Sequence, residues 1–153
     1  MAYQVPEIAI LSIAVMLSML TGGIDLSIVS ISNASALIAA YIMTQKMSEE
    51  GAISNSWIII ACLVGIILGL ICGAINALLI AVLNVTPILA TLATLTLFNG
   101  IAIGITNGVS VSNLPEQFMR VGNGTFFGIP TPFVLMMVIA AGVGYLINRT
   151  SLG

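Results

Sequence analysis

Asp25 carries the first question of this sequence. In TGGIDLS it stands alone between two long apolar runs. Two kinds of chemistry suit a carboxylate there. If Gly22 and Gly23 end one helix in a left-handed backbone, Asp25 caps the next by accepting a backbone N–H at its positive end. A carboxylate at a membrane edge or in a polar cavity is, equally, a functional group by default. The two readings are compatible, since a cap also fixes a joint that moves. Ser27, Ser30, Ser32, Asn33 and Ser35 follow it. Asn76 lies in the third apolar run, and Thr91, Thr94, Thr96 and Asn99 in the fourth. Such groups either bond between helices or line a wet pathway. Interhelical bonding is the commoner outcome, at on the order of 1 kcal/mol each. The candidates for pathway and hinge are Gly22, Gly23, Asp25, Ser27, Asn76, Thr91 and Asn99.

Other chemistries lack their residues. The chain has no histidine, so Ser/His/Asp catalysis is absent and the commonest metal ligand is missing. No G-x-x-x-x-G-K-[ST] stretch holds a nucleotide. No His/Cys/carboxylate cluster suits a metal. No catalytic residue, metal or cofactor is therefore expected. Three basic residues, Lys46, Arg120 and Arg149, are too few for nucleic acid. Cys62 and Cys72 share one run. On a helix they stand about 15 Å apart, too far for a disulfide, and they read as small packing residues.

These residues must be positioned by elements that live in lipid. Of 153 residues, 59% are hydrophobic and 5% charged, against roughly a quarter charged in soluble domains. Five runs approach the roughly twenty residues of a transmembrane helix, at 5–21, 26–44, 57–83, 87–106 and 131–148. Helices are the form such spans take, because lipid leaves backbone groups no other partner. The expected fold is an all-α polytopic membrane protein of about five transmembrane helices, in one transmembrane domain over 1–153. Pro87 suits the first turn of the fourth span. The loop NGVSVSNLPEQFMRVGNGTFFGIP suggests a short helix near Pro115–Arg120, with Phe118, Phe126 and Phe127 at the membrane interface. The start lacks the basic region of a signal peptide. A count of basic residues favours the Lys46 side as cytoplasmic by one residue.

Small residues indicate close helix packing. Gly65, Gly69, Gly73, Ala77 and Ala81 recur every four residues, and Gly100, Gly104 and Gly108 repeat the device. Each series predicts a flat face where another helix approaches.

Several strings resemble one family. GGIDLS at 22–27 is similar to the signature of permease subunits of ribose-type sugar ABC importers. GAINALLIAVLNVTPILATLATLTLFNG, NGVSVSNLPEQF with GIPTPF, and NRTSLG follow in the family's order. Ile28-Val29-Ser30 stands where the family carries Val-Gly-Ser, and Ala77 where glycine is usual. The resemblance implies a larger bundle of roughly ten spans, of which this chain is a fragment. It also implies a cytoplasmic Arg149 with Lys46 and Arg120 outside, against the basic-residue count.

The function this resemblance implies is a permease component of an ATP-driven importer for a sugar or sugar-like solute, in a bacterial inner membrane. It is a transport subunit and not an enzyme. The implied partners are the lipid bilayer, a cytoplasmic ATP-binding subunit, an extracytoplasmic solute-binding protein and a second permease subunit. Two other readings stand beside it. One is a small secondary transporter or channel using Asp25, and the other a purely structural membrane subunit.

Overall fold

A computed structural model describes residues 4–20, 22–50, 54–111, 114–126 and 129–149. It contains helices α1 (Gln4–Leu20), α2 (Ile28–Glu50), α3 (Asn55–Ala81), α4 (Pro87–Thr106), α5 (Glu116–Asn123) and α6 (Thr131–Arg149). Strands β1 (Thr125–Phe126) and β2 (Ile129–Pro130) form a short antiparallel pair between α5 and α6. Among the described residues the remaining regular structure is helical, as the composition requires.

Among the described residues, α2, α3, α4 and α6 are long and apolar enough to cross a membrane. Helix α1 is apolar but has 17 residues, about 25 Å at a rise of ~1.5 Å per residue. That falls short of the roughly 30 Å hydrocarbon core. The short helix expected near Pro115–Arg120 is α5. Phe118 is half-buried and packs with Leu114 against Met43 and Ala61. Phe126 stands in β1, and Phe127 lies outside the described residues.

Helix ends follow from local chemistry. Gly22 has φ +88° and donates its N–H to Met19 O at 3.1 Å, while Gly23 N–H reaches Ser18 O at 3.4 Å. This crossed pair of bonds satisfies the last carbonyls of α1 and needs a left-handed residue at Gly22. Pro87 sits in the first turn of α4, where its missing N–H costs nothing.

The chain divides into two compact units, Met1–Asp25 with Met119–Gly153, and Leu26–Phe118. In the first, α1 packs on α6. There Thr131 donates both its backbone N–H and its hydroxyl to Gly124 O, each at 2.9 Å. In the second, α2 packs against both α3 and α4.

The α2–α3 pair is antiparallel, and its register can be read residue by residue. Ala61 shares a cluster with Met43. Gly65 meets Ser35 and Ala39, and Gly69 meets Ser35 and Ile31. Asn76 bonds to Ser27. A Cβ on Gly65 would stand 3.2 Å from Ser35 O and 3.4 Å from the Ala39 Cβ, so glycine there sets the approach of the two backbones.

The expected four-residue stripe needs correction. Among the described residues, a Cβ on Gly73, Gly100 or Gly104 would meet nothing within 4 Å. The buried line on α3 is Ala61, Gly65, then the half-buried Gly69 and Cys72, then Asn76. A strict four-residue repeat advances about 40° per step around a helix of 3.6 residues per turn. It therefore leaves the contact after two steps, whereas alternating fours and threes stay on it. On α4 the buried line is Thr91, Thr94, Phe98 and Ala102. Gly100 and Gly104 stand two residues beyond the last two of these, on the far side of the helix.

The second unit is packed inside out relative to a water-soluble protein. Its interior holds Ser27, Ser30, Ala34, Ala61, Thr91 and Thr94 beside only two large apolar side chains among the described residues, Met43 and Phe98, while Leu70 is 69% exposed and Ile59, Leu63 and Ile66 also point outward. In water these aliphatic groups would associate. In lipid they are solvated by the acyl chains, and small or polar residues make the helix contacts.

Candidate functional site

Helix α2 begins at Ile28, and Ile31 N–H donates to Ser27 O at 2.9 Å. Ser27 therefore holds the N-cap position by backbone geometry, two residues after Asp25. Serine suits that position as well as aspartate does. Asp25 is half-buried in the extended stretch before the helix. The boundary between the two compact units falls just after it, at Leu26.

Ser27 and Asn76 form a polar contact inside the second unit. Asn76 is 3% exposed and Ser27 fully buried. Asn76 Nδ2 donates to Ser27 Oγ at 2.5 Å. Ser30 Oγ donates to Ser27 O at 2.8 Å. The Asn76 Oδ1 atom is buried with no hydrogen-bond partner among the described residues.

The threonines of α4 each donate to a carbonyl of their own helix. Thr91 Oγ1 donates to Pro87 O at 2.8 Å and Thr94 Oγ1 to Ala90 O at 3.0 Å. Thr96 Oγ1 donates to Ala93 O at 2.8 Å. These bonds lie within α4. A threonine hydroxyl reaches the carbonyl three or four residues back whenever its helix is intact. That local bond competes with any longer one.

A cavity of about 490 Å³ lies between α2, α4 and the side chains of Val111, Leu114 and Phe118. Asn33 on α2 and Asn99 on α4 both line it. Ala36, Ala40 and Ala102 keep its walls thin, and Met43 and Phe118 contribute apolar wall. Among the described residues, no ionisable side chain lines it. Neither Asn33 nor Asn99 bonds to another described residue. The site thus offers two free carboxamides beside an apolar surface, a pairing suited to orienting a small solute.

The expected candidates therefore separate. Gly22 and Gly23 close α1, Asp25 lies in the joint, Ser27 meets Asn76, Thr91 is buried on α4, and Asn99 lines the cavity. Asn33 belongs with Asn99, and polarity alone did not single it out. The signal was the spacing of Asn33, Ala36, Leu37 and Ala40, which is one helical face.

The comparisons extend this geometry. A family profile described as "Branched-chain amino acid transport system / permease component" matches residues 1–153. The autoinducer 2 import system permease protein LsrC of Escherichia coli O9:H4 (strain HS) is 30% identical over 154 residues, covering 100% of this chain and 42% of that protein. LsrD of Yersinia pseudotuberculosis serotype O:1b (strain IP 31758), also an autoinducer 2 import system permease protein, is 30% identical over 152 residues, covering 95% and 43%. The chain spans less than half the length of these curated relatives. No solved structure matches it. With four helices fit to cross a bilayer, it is a multi-pass protein of the cell inner membrane. Match and architecture agree over the whole sequence, and the chain belongs to the branched-chain amino acid transport system / permease component family.

Proposed function

We propose that this chain is a membrane-spanning permease component of an ATP-driven importer for a sugar or sugar-like solute, forming part of the translocation pathway. The observation that carries this reading is the family match over all 153 residues. The relatives' names, import system permease proteins, support it. So does the second unit, whose helices meet through small and polar residues and whose cavity between α2 and α4 has no ionisable side chain in its described lining. ATP is hydrolysed on a separate cytoplasmic subunit, and an extracytoplasmic binding protein delivers the solute. A second permease subunit completes the pathway. Gly22, Gly23 and Asp25 form the joint between the first two helices. Asp25 does not line the cavity, which counts against a channel built on that carboxylate.

The test is affinity purification of the tagged chain from native membranes in mild detergent. An ATP-binding subunit is expected to co-purify, with ATPase activity stimulated by the solute-binding protein. Ion or proton flux through the purified chain in liposomes, abolished by Asp25→Asn and independent of ATP, would replace the importer reading with that of a channel.

A further inference from the structure

The cavity of the second unit combines features that narrow its occupant. Asn33, which is exposed, and Asn99, which is half-buried, line it from two different helices, both among the candidate membrane spans. Neither amide has a partner among the described residues. A carboxamide facing hydrocarbon without a hydrogen bond is costly, so polar groups at membrane depth face a polar cavity or one another. The space beside them, about 490 Å³, lies within the range of small-molecule sites. Met43, Leu114 and Phe118 give it an apolar wall. Three alanines on α2 line it where larger residues would fill it.

We propose that this cavity is a solute subsite contained within one permease chain, where Asn33 and Asn99 read the hydroxyl groups of a small uncharged solute. Each carboxamide offers two N–H donors and one carbonyl acceptor. Two of them match neighbouring hydroxyls, which both donate and accept. The apolar wall matches the C–H face of the same molecule. The described lining has no ionisable side chain, so an ammonium or carboxylate would enter without a counter-charge, at a high cost in free energy. An amino acid, the solute named in the family's description, is thereby disfavoured. The solute's class rests on the importer reading, but the existence of the site does not.

The chain carries its own reporter. Trp57 is its only tryptophan. It packs in the cluster of Met43, Leu114 and Phe118, three residues that also line the cavity. The experiment titrates the full chain in lipid nanodiscs with D-ribose as a neutral polyol probe and L-leucine as a zwitterionic one, following Trp57 fluorescence. A saturable change with ribose and none with leucine at equal concentration is expected. Asn33→Leu and Asn99→Leu should each raise the half-saturation concentration about tenfold, the loss of one hydrogen-bonding group. Asn33→Gln should recover part of it. Circular dichroism on each variant verifies the fold, and Asn33→Ser replaces any variant that fails it. A leucine response equal to that of ribose would overturn the proposal. So would no response to either probe, or a ribose response that both leucine variants retain. The two readings fail separately. A chain that answers to ribose through these amides yet recruits no ATP-binding subunit fails only as an importer. One that recruits the subunit and ignores ribose fails only as a solute site.

Discussion

Asn76, on α3, donates its side-chain amide to the hydroxyl of Ser27, the residue that starts α2. The two stand 49 positions apart in sequence. Their contact is a direct side-chain bond between two apolar helices, and it fixes one end of the antiparallel pair. Glycine fixes the other stretch of the same contact, at Gly65 against Ser35 and Ala39.

Removing either partner should loosen this end. Ser27→Ala and Asn76→Ala are each expected to destabilise the protein, and the double variant to lose less than their sum. The coupling should be about 0.5–2 kcal/mol, the range of interhelical hydrogen bonds in lipid. Reversible unfolding by SDS in mixed micelles measures it. A coupling of zero would mean that the bond adds nothing to the fold.

The two glycine environments on α3 should respond differently to bulk. Gly65→Leu places a side chain against the Ser35 carbonyl and the Ala39 methyl. It should cost more than about 2 kcal/mol through overpacking. Gly73→Leu enters open space, and its better helix propensity should leave stability unchanged or raised by up to about 1 kcal/mol. The same unfolding assay ranks them, and equal losses would contradict the register of α3 against α2.

Gly22 is held by its backbone, not by neighbours. A Cβ there meets nothing within 4 Å, but φ is +88°. Gly22→Ala should therefore cost about 1 kcal/mol, with Gly22→Asn milder because asparagine tolerates this region better. Thermal unfolding of the two variants beside wild type tests the order. If Ala proves as stable as Gly, the left-handed cap is wrong.

Gly124 is constrained by contact. A Cβ on it would collide with the Arg120 carbonyl and sit 3.2 Å from Thr131 Oγ1. Gly124→Ala should disturb the turn that receives both donors of Thr131. Faster amide exchange at Thr131 is the expected readout, and unchanged exchange would remove the constraint.

Much of the architecture was legible in the residues. A chain 5% charged with runs of about twenty apolar residues has to bury backbone hydrogen bonds inside helices, so helix number and position follow from solvation alone. The glycine stop at Gly22 and the proline start at Pro87 are local effects, set by one residue's φ or its missing N–H. The family resemblance rested on contiguous strings, and a profile over the whole chain agrees with it. The N-cap was less legible: Asp25 was the candidate, whereas the start of α2 at Ile28 puts Ser27 at that position.

Sequence alone thus determined that the chain is a bundle of membrane helices, and which residues were polar enough to matter. Tertiary structure decided which of these meet. The period of the helix turned Gly73, Gly100 and Gly104 away from the contact and brought Asn76 onto it. The register of α2 against α3 and α4 placed Ser27 beside Asn76, and Asn33 with Asn99 around one cavity. Solvation and backbone geometry act on each residue where it stands. Pairing between helices depends on rotation and register, which no single segment encodes.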